Sequence, residues 1–249
     1  MIAGLPMYDR PETAAANDRL WSLTRTGLAD RGIDAPQELS RGMDIWEMWQ
    51  SPELVLSQTC GLPYRTRLHG QVGLVATPVH DLPCEPGHYF SVIVARRDDA
   101  RIVPADFNGA RLAVNGGDSQ SGWAAAVDWM EEHNIRYGSF TLSGGHAASA
   151  RSVVDGDADF AAIDALTWAM IKRWDALAVD LMELGTTRAS PALPFISAAG
   201  IDTNAVAGAL GDAIAALRPD ERNNLGLRGI KRIRAEKYLA VATPPPPED

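Results

Sequence analysis

The chain has 249 residues, 46% hydrophobic and 22% charged, a globular composition that suits one large domain or two lobes. Its formal net charge of −9 argues against nucleic acid and anionic membrane surfaces, though a small anion can still be held by a local array of N–H dipoles. No apolar run approaches the roughly 20 residues of a membrane span.

Strand and helix signals alternate from the start. Ile2–Leu5 reads as a strand, and Asp9-Arg10-Pro11-Glu12 resembles a capping box with Asp9 at the cap. Leu20, Trp21, Thr24 and Leu28 give the next helix its apolar stripe, with Gly32 as its stop. Residues 54–56, 72–76 and 89–95 read as buried strands, followed by 112–114, a helix near 122–133, a strand near 139–142 and a helix near 146–155. A strand at 160–163 runs into a helix over 165–174, and 179–184 and 195–196 read as strands. The C-terminal part reads as helical over 203–217 and 232–239, and the Pro-rich residues 243–249 as a disordered tail. The pattern predicts an α/β fold with largely parallel sheets, in which ligands sit beyond the carboxyl ends of the strands.

Met1 leads into Ile2-Ala3-Gly4-Leu5-Pro6 with neither a basic region nor an apolar leader. The protein is therefore expected in the periplasm if a leader was removed or omitted, and in the cytoplasm if Met1 is the true start. Cys60 and Cys84 lack zinc-ligand and CxxC spacing, so no metal site is expected. Two free thiols and a disulfide both remain open. Glu131-Glu132-His133 reads as a solvated helix end, and the basic run Arg228–Arg234 as a solvated helix face. The seven tryptophans read mostly as core, with Trp168, beside Asp164, a candidate cleft wall.

Five strand-end segments carry the candidate chemistry: Met7-Tyr8-Asp9, Ser57–Gly61 with Thr59, the turn Gly116–Gly122, Ser143–His146, and Asp164. Ser119 and Ser121 lie where a buried strand meets a helix, and the first N–H groups of a helix are unpaired and carry partial positive charge. Such a turn is a cradle for an oxyanion, or an ordinary N-cap. Asp9 and Asp164 likewise read as helix caps, Tyr8 as core, and Thr59 as a turn residue. Taken together, these loops offer hydroxyl, imidazole, amide and backbone donors, with the Asp164 carboxylate as acceptor. That is the complement of a protonated oxyanion such as hydrogen phosphate or a phosphonate, and it repels sulfate. The same residues can be read as a Ser119 or Ser121, His146, Asp164 hydrolase, but Gly117-Asp118-Ser119-Gln120-Ser121 lacks the last Gly of a nucleophile elbow. No Walker loop or dinucleotide fingerprint is present, and no cofactor is expected.

Gly4-Leu5-Pro6-Met7-Tyr8, Gln58-Thr59-Cys60-Gly61, Val75–Val79, Asn115–Gly122, Ser143–His146 and Ala162-Ile163-Asp164 resemble, in that order, the PhnD-like solute-binding proteins of phosphonate, phosphite and phosphate ABC importers. The resemblance implies a type 2 periplasmic-binding-protein fold: two α/β lobes with mixed, mostly parallel sheets, joined by a hinge of two crossover strands. Residues 1–92 plus 188–249 would form one lobe and 93–187 the other. It implies no enzymatic activity, a small phosphorus oxyanion as ligand and an ABC permease as partner. Tyr8 and Thr59 would contact the ligand from the first lobe. Ser119, Gln120 and Ser121 would bind phosphoryl oxygens, His146 would donate, and Asp164 would accept from the ligand hydroxyl. Gln120 stands where phosphonate binders often have Thr, a bulkier amide that alters pocket volume. A second reading is a cytoplasmic ligand-sensing or carrier paralogue for another small ligand.

Overall fold

A computed structural model describes residues 1–248; Asp249 of the expected tail lies outside the described residues. The chain divides into two compact units, residues 1–88 with 191–240 and residues 89–190 with 241–249. The crossings fall a few residues from the expected 92/93 and 187/188, and the last residues group with the second unit rather than the first.

The first unit opens with β1 (Ile2–Gly4), α1 (Pro11–Ala29), α2 (Ile45–Gln50), β2 (Leu54–Gln58), α3 (Gly61–Pro63) and β3 (Val72–His80). The chain crosses through β4 (His88–Tyr89) into β5 (Ser91–Arg96), β6 (Arg111–Val114), α4 (Ala125–Glu132), β7 (Ser139–Leu142) and α5 (His146–Asp155). It continues through β8 (Phe160–Asp164), α6 (Ala165–Trp174), β9 (Leu181–Thr186) and β10 (Ser190–Pro191), which pairs with β4. The return adds β11 (Phe195–Ala198), α7 (Thr203–Ala216), α8 (Pro219–Leu225), β12 (Leu227–Lys231) and α9 (Ala235–Leu239).

The first unit's sheet has the order β1-β2-β11-β3-β12 and is covered on both faces. Val55, Phe195 and Val75 join Leu20, Trp21, Leu28, Val206 and Leu210 of α1 and α7. Leu54 and Ile196 face the other way, toward Trp49, Tyr64, Leu68 and Tyr238. Alternate residues of β2 and β11 thus feed two apolar layers, which is why these strands read as unbroken hydrophobic runs. The second unit's sheet, β7-β6-β8-β5-β9, holds Leu112–Val114 and Phe160–Ile163 fully buried between helices.

Several expectations are corrected. The sheets are mixed, as the resemblance implied, but less parallel than expected: β1 and β2 are parallel, as are β7, β6 and β8, while β11 runs antiparallel to both its neighbours, β5 to β8 and β9, and β12 to β3. β5 and β11, the first long strands after the first two crossings, run against both their neighbours. Asp9 does not cap α1. Pro11 occupies the first helical position, which makes Arg10 the cap, and its N–H bonds Thr13 Oγ1 at 3.0 Å. Asp9 instead accepts from Asn17 Nδ2 at 2.9 Å and pairs with Arg41 at 2.6 Å.

The basic run is not a helix face: Arg228–Lys231 belongs to edge strand β12, and Lys231 pairs with Glu85 at 3.0 Å. In the tail segment, Pro245 O accepts from Trp123 Nε1 at 2.8 Å. Trp168 is buried, its indole N–H bonded to Glu183 at 2.6 Å, and so lines the core rather than a cleft. No disulfide joins Cys60 and Cys84. Among the described residues, no helix is long and apolar enough to cross a membrane, and no group of three metal-ligating side chains is gathered.

Candidate functional site

In the second unit the parallel trio β7-β6-β8 sends three loops to one edge of the sheet. The loop after β6 carries Ser119–Ser121, that after β7 carries His146, and β8 ends on Asp164 itself. β5 runs the other way, so its first residue, Ser91, pairs with Asp164 at the same edge. Ser91 Oγ donates to Ser121 O at 2.9 Å, stitching the β5–β8 edge to the turn after β6. This convergence follows from strand direction, the general reason ligand sites lie at carboxyl edges.

The turn is not a plain α-helix start. Ser119 is the N-cap, its Oγ accepting from Gly122 N at 3.0 Å, and Gln120–Ala124 forms a π-helical turn before α4. Such turns recur at functional sites, because the extra residue re-aims side chains and loosens the ladder. Ser119, Gln120 and Ser121 are buried. Since Ser119 Oγ already accepts from the backbone, its O–H remains to donate, and Ser121 Oγ lies 3.5 Å away. Ser121 Oγ is 2.7 Å from His146 Nε2, and Asn115 Nδ2 is 3.4 Å from the same nitrogen. Packing around the His146 ring lowers its pKa to about 4, so the imidazole is neutral at physiological pH. Asp164, 2% exposed, caps α6 through Thr167 N at 2.8 Å, the role expected of a cap.

Gly122 explains itself by what would replace it. A Cβ there would lie 1.8 Å from Asn115 Oδ1 and 3.3 Å from His146 Cε1. Gly122→Ala is therefore expected to push Asn115 off His146 and weaken ligand binding about tenfold or more, equivalent to ~1.4 kcal/mol. Calorimetric titration checks it, and an unchanged Kd would show that this contact does not matter.

Tyr8 and Thr59 lie in the first unit, after β1 and β2. Half-buried Tyr8 ends a 3-10 turn, and its ring meets His80 edge-on with centroids 5.4 Å apart. Thr59 is fully buried, with its N–H bonded to Pro194 O at 3.0 Å just before the helical turn that begins at Gly61. His80 ends β3. Its Nδ1 is 3.2 Å from Gly226 O, a carbonyl that can only accept, so the Nδ1 proton is fixed there. Ser91 and His80 escaped the sequence reading, and Asn115 entered it only as part of the segment Asn115–Gly122. The one signal available was a polar residue at the end of an apolar strand.

Two mixed five-stranded sheets, each with a strand reversed after a chain crossing, define a type 2 periplasmic-binding-protein-like fold. The model of a family described as "ABC transporter, phosphonate, periplasmic substrate-binding protein" matches residues 56–238. No curated protein matches the sequence. Among solved structures, PhnD1 from Prochlorococcus marinus in complex with methylphosphonate has a TM-score of 0.71 at 12% identity, with 95% of this chain and 94% of that one covered. A binding-protein component of an ABC phosphonate transporter from Pseudomonas aeruginosa also has a TM-score of 0.71 at 12% identity, covering 96% and 82%. XAC2383 from Xanthomonas citri bound to ATP has a TM-score of 0.69 at 14% identity, covering 95% and 92%. At these identities the likeness speaks for the fold, and the family match speaks for membership. The chain belongs to the phosphonate-binding periplasmic substrate-binding proteins of ABC transporters.

Proposed function

We propose that this protein binds a small phosphorus oxyanion (a phosphonate, phosphite or phosphate) without chemistry of its own, and delivers it to an ABC permease from the periplasm. The observation that carries the reading is the convergence of Ser119, Ser121, His146 and Asp164 on one sheet edge: neutral donors with a single carboxylate. None of the assigned ligand residues (Tyr8, Thr59, Ser119, Gln120, Ser121, His146 and Asp164) is a lysine or arginine. The anion would be held by hydroxyl, amide and imidazole hydrogen bonds and by the partial charge at the helix start. An anion accepting the Ser121 O–H favours the His146 tautomer with its proton on Nε2, which donates back to Ser121 Oγ. Asp164 accepts the ligand's remaining O–H.

The 2.7 Å Ser121–His146 bond also fits the first half of a serine hydrolase. That reading needs an orienting acid, and no carboxylate is hydrogen-bonded to His146 Nδ1 among the described residues. A fluorophosphonate probe that labels Ser121 would favour it.

A thermal-shift panel on ligand-stripped protein tests the binding reading with phosphate, phosphite, methylphosphonate and 2-aminoethylphosphonate, and sulfate as control. Ligand at 100 times its Kd is expected to add about 2.7 kcal/mol and raise Tm by several degrees. A shift with at least one phosphorus oxyanion and none with sulfate is the expected outcome. Silence from every phosphorus compound would reject the ligand class.

A further inference from the structure

The Pro-rich C-terminal segment contacts both flanks of the Ser119–Ser121 turn. On one flank Trp123, two residues past Ser121 and 2% exposed, donates its indole N–H to Pro245 O at 2.8 Å. On the other, Gly117 lies so near Pro247 that a Cβ there would be 3.0 Å from Pro247 Cδ. Farther along, Tyr137 OH donates to Glu248 O at 3.4 Å, and the Trp123 and Tyr137 rings meet edge-on with centroids 5.9 Å apart. Four consecutive prolines have no N–H to satisfy and a backbone already held extended, so little freedom is lost when the segment's carbonyls accept from such a pair of side chains. The buried indole N–H, in turn, needs an acceptor, and a proline carbonyl supplies it.

We propose that residues 241–248 are a positioning strap for the anion-binding turn: by holding Trp123 and crowding Gly117, they fix the π-helical turn in the geometry that presents Ser119, Gln120 and Ser121. The binding half of this statement rests on the ligand reading above; the bracing half does not. The strap is also the third passage of the chain from one unit to the other, since α9 belongs to the first unit and the strap to the second.

Truncation after Ala240 tests it, with Trp123→Phe as a second variant that keeps the ring and removes the donor. Without ligand, amide exchange of residues 116–124 is expected to speed up at least tenfold in both variants, while residues 160–164 of β8 stay as protected as in the full chain. Kd for methylphosphonate, or for whichever phosphorus oxyanion the full chain binds, is expected to rise at least tenfold. A synthetic peptide of residues 241–249 at about millimolar concentration, comparable with the effective concentration of a short tether, is expected to restore slow exchange to the truncated chain. Unchanged exchange at 116–124 in both variants would overturn the proposal. So would faster exchange with an unchanged Kd, since the strap would then brace the turn without serving binding. If the full chain binds no phosphorus oxyanion, the ligand reading fails, and the exchange and peptide-rescue results alone decide the bracing.

Discussion

Asp164→Asn is expected to let sulfate bind, where the parent protein is expected to exclude it. Asp164 is buried at the end of β8 and its Oδ1 caps α6 through Thr167 N at 2.8 Å. Asparagine retains an oxygen for that cap and ranks with aspartate at this position, so the fold is expected to survive. What changes is the sign of the remaining group. A carboxylate offers only lone pairs, which suit a ligand O–H and repel a fully ionised oxyanion. The amide offers N–H donors in the same place. Losing a hydrogen bond to a charged acceptor costs about 1.5–3 kcal/mol, so the phosphorus ligand is expected to bind roughly 10- to 100-fold more weakly. Sulfate, freed of the repulsion, is expected to come within about tenfold of it. Titration calorimetry at pH 7 with both anions gives the answer. If sulfate stays excluded from the asparagine variant, Asp164 is a helix cap and no more. Adding Ser121→Ala to this variant is expected to abolish phosphorus-oxyanion binding while leaving Tm near that of the single variant.

The second large effect concerns acid. His80, 9% exposed, is held neutral by burial, which lowers its pKa from 6.5 to about 4. As pH falls below 6.5, the unfolded chain takes up a proton that the folded first unit refuses until about pH 4. Stability from this group is therefore complete above pH 6.5 and is lost progressively as pH falls toward 4. At 1.36 kcal/mol per pKa unit the full loss is about 3 kcal/mol, and about 2 kcal/mol of it falls between pH 8 and pH 5. His146 acts in the same direction in the second unit. Urea denaturation at both pH values, comparing the parent with His80→Phe, isolates the term. The variant is expected to lose about 2 kcal/mol less on acidification, whatever its absolute stability. Equal pH dependence in the two proteins would remove His80 as the cause.

The placement of the second unit's candidate site residues was legible because they sit where strand periodicity stops. Ser119–Ser121, His146 and Asp164 each follow or end an apolar run, and position after a strand is a strong pointer in α/β folds. The partners that organise them were not legible. Ser91 looks like an interior residue of the strand read at 89–95, and only the antiparallel register of β5 against β8 brings it beside Asp164. Strand direction leaves no mark on hydrophobic periodicity, which is why the sheets read as more parallel than they are. β12 was hidden by Arg228 and Lys231, yet charges are what an edge strand carries to discourage further pairing. The contacts of the tail were hidden for a different reason. Its composition describes a segment without a core of its own, and composition cannot reveal an aromatic pair elsewhere in the chain that receives it.

The π-helical turn at Gln120–Ala124 has a consequence for how binding in this protein can change over generations. Such a turn amounts to one residue more than an α-helix needs. Deleting a single codon from it would leave a regular, better-bonded helix, while turning everything on its N-terminal side by about 100° relative to α4. Ser119 would swing away from Ser121 although no residue of the proposed site had been substituted. Ligand choice here is thus exposed to insertion and deletion as well as to point mutation, and loss of binding by that route would be accompanied by a gain in helix stability.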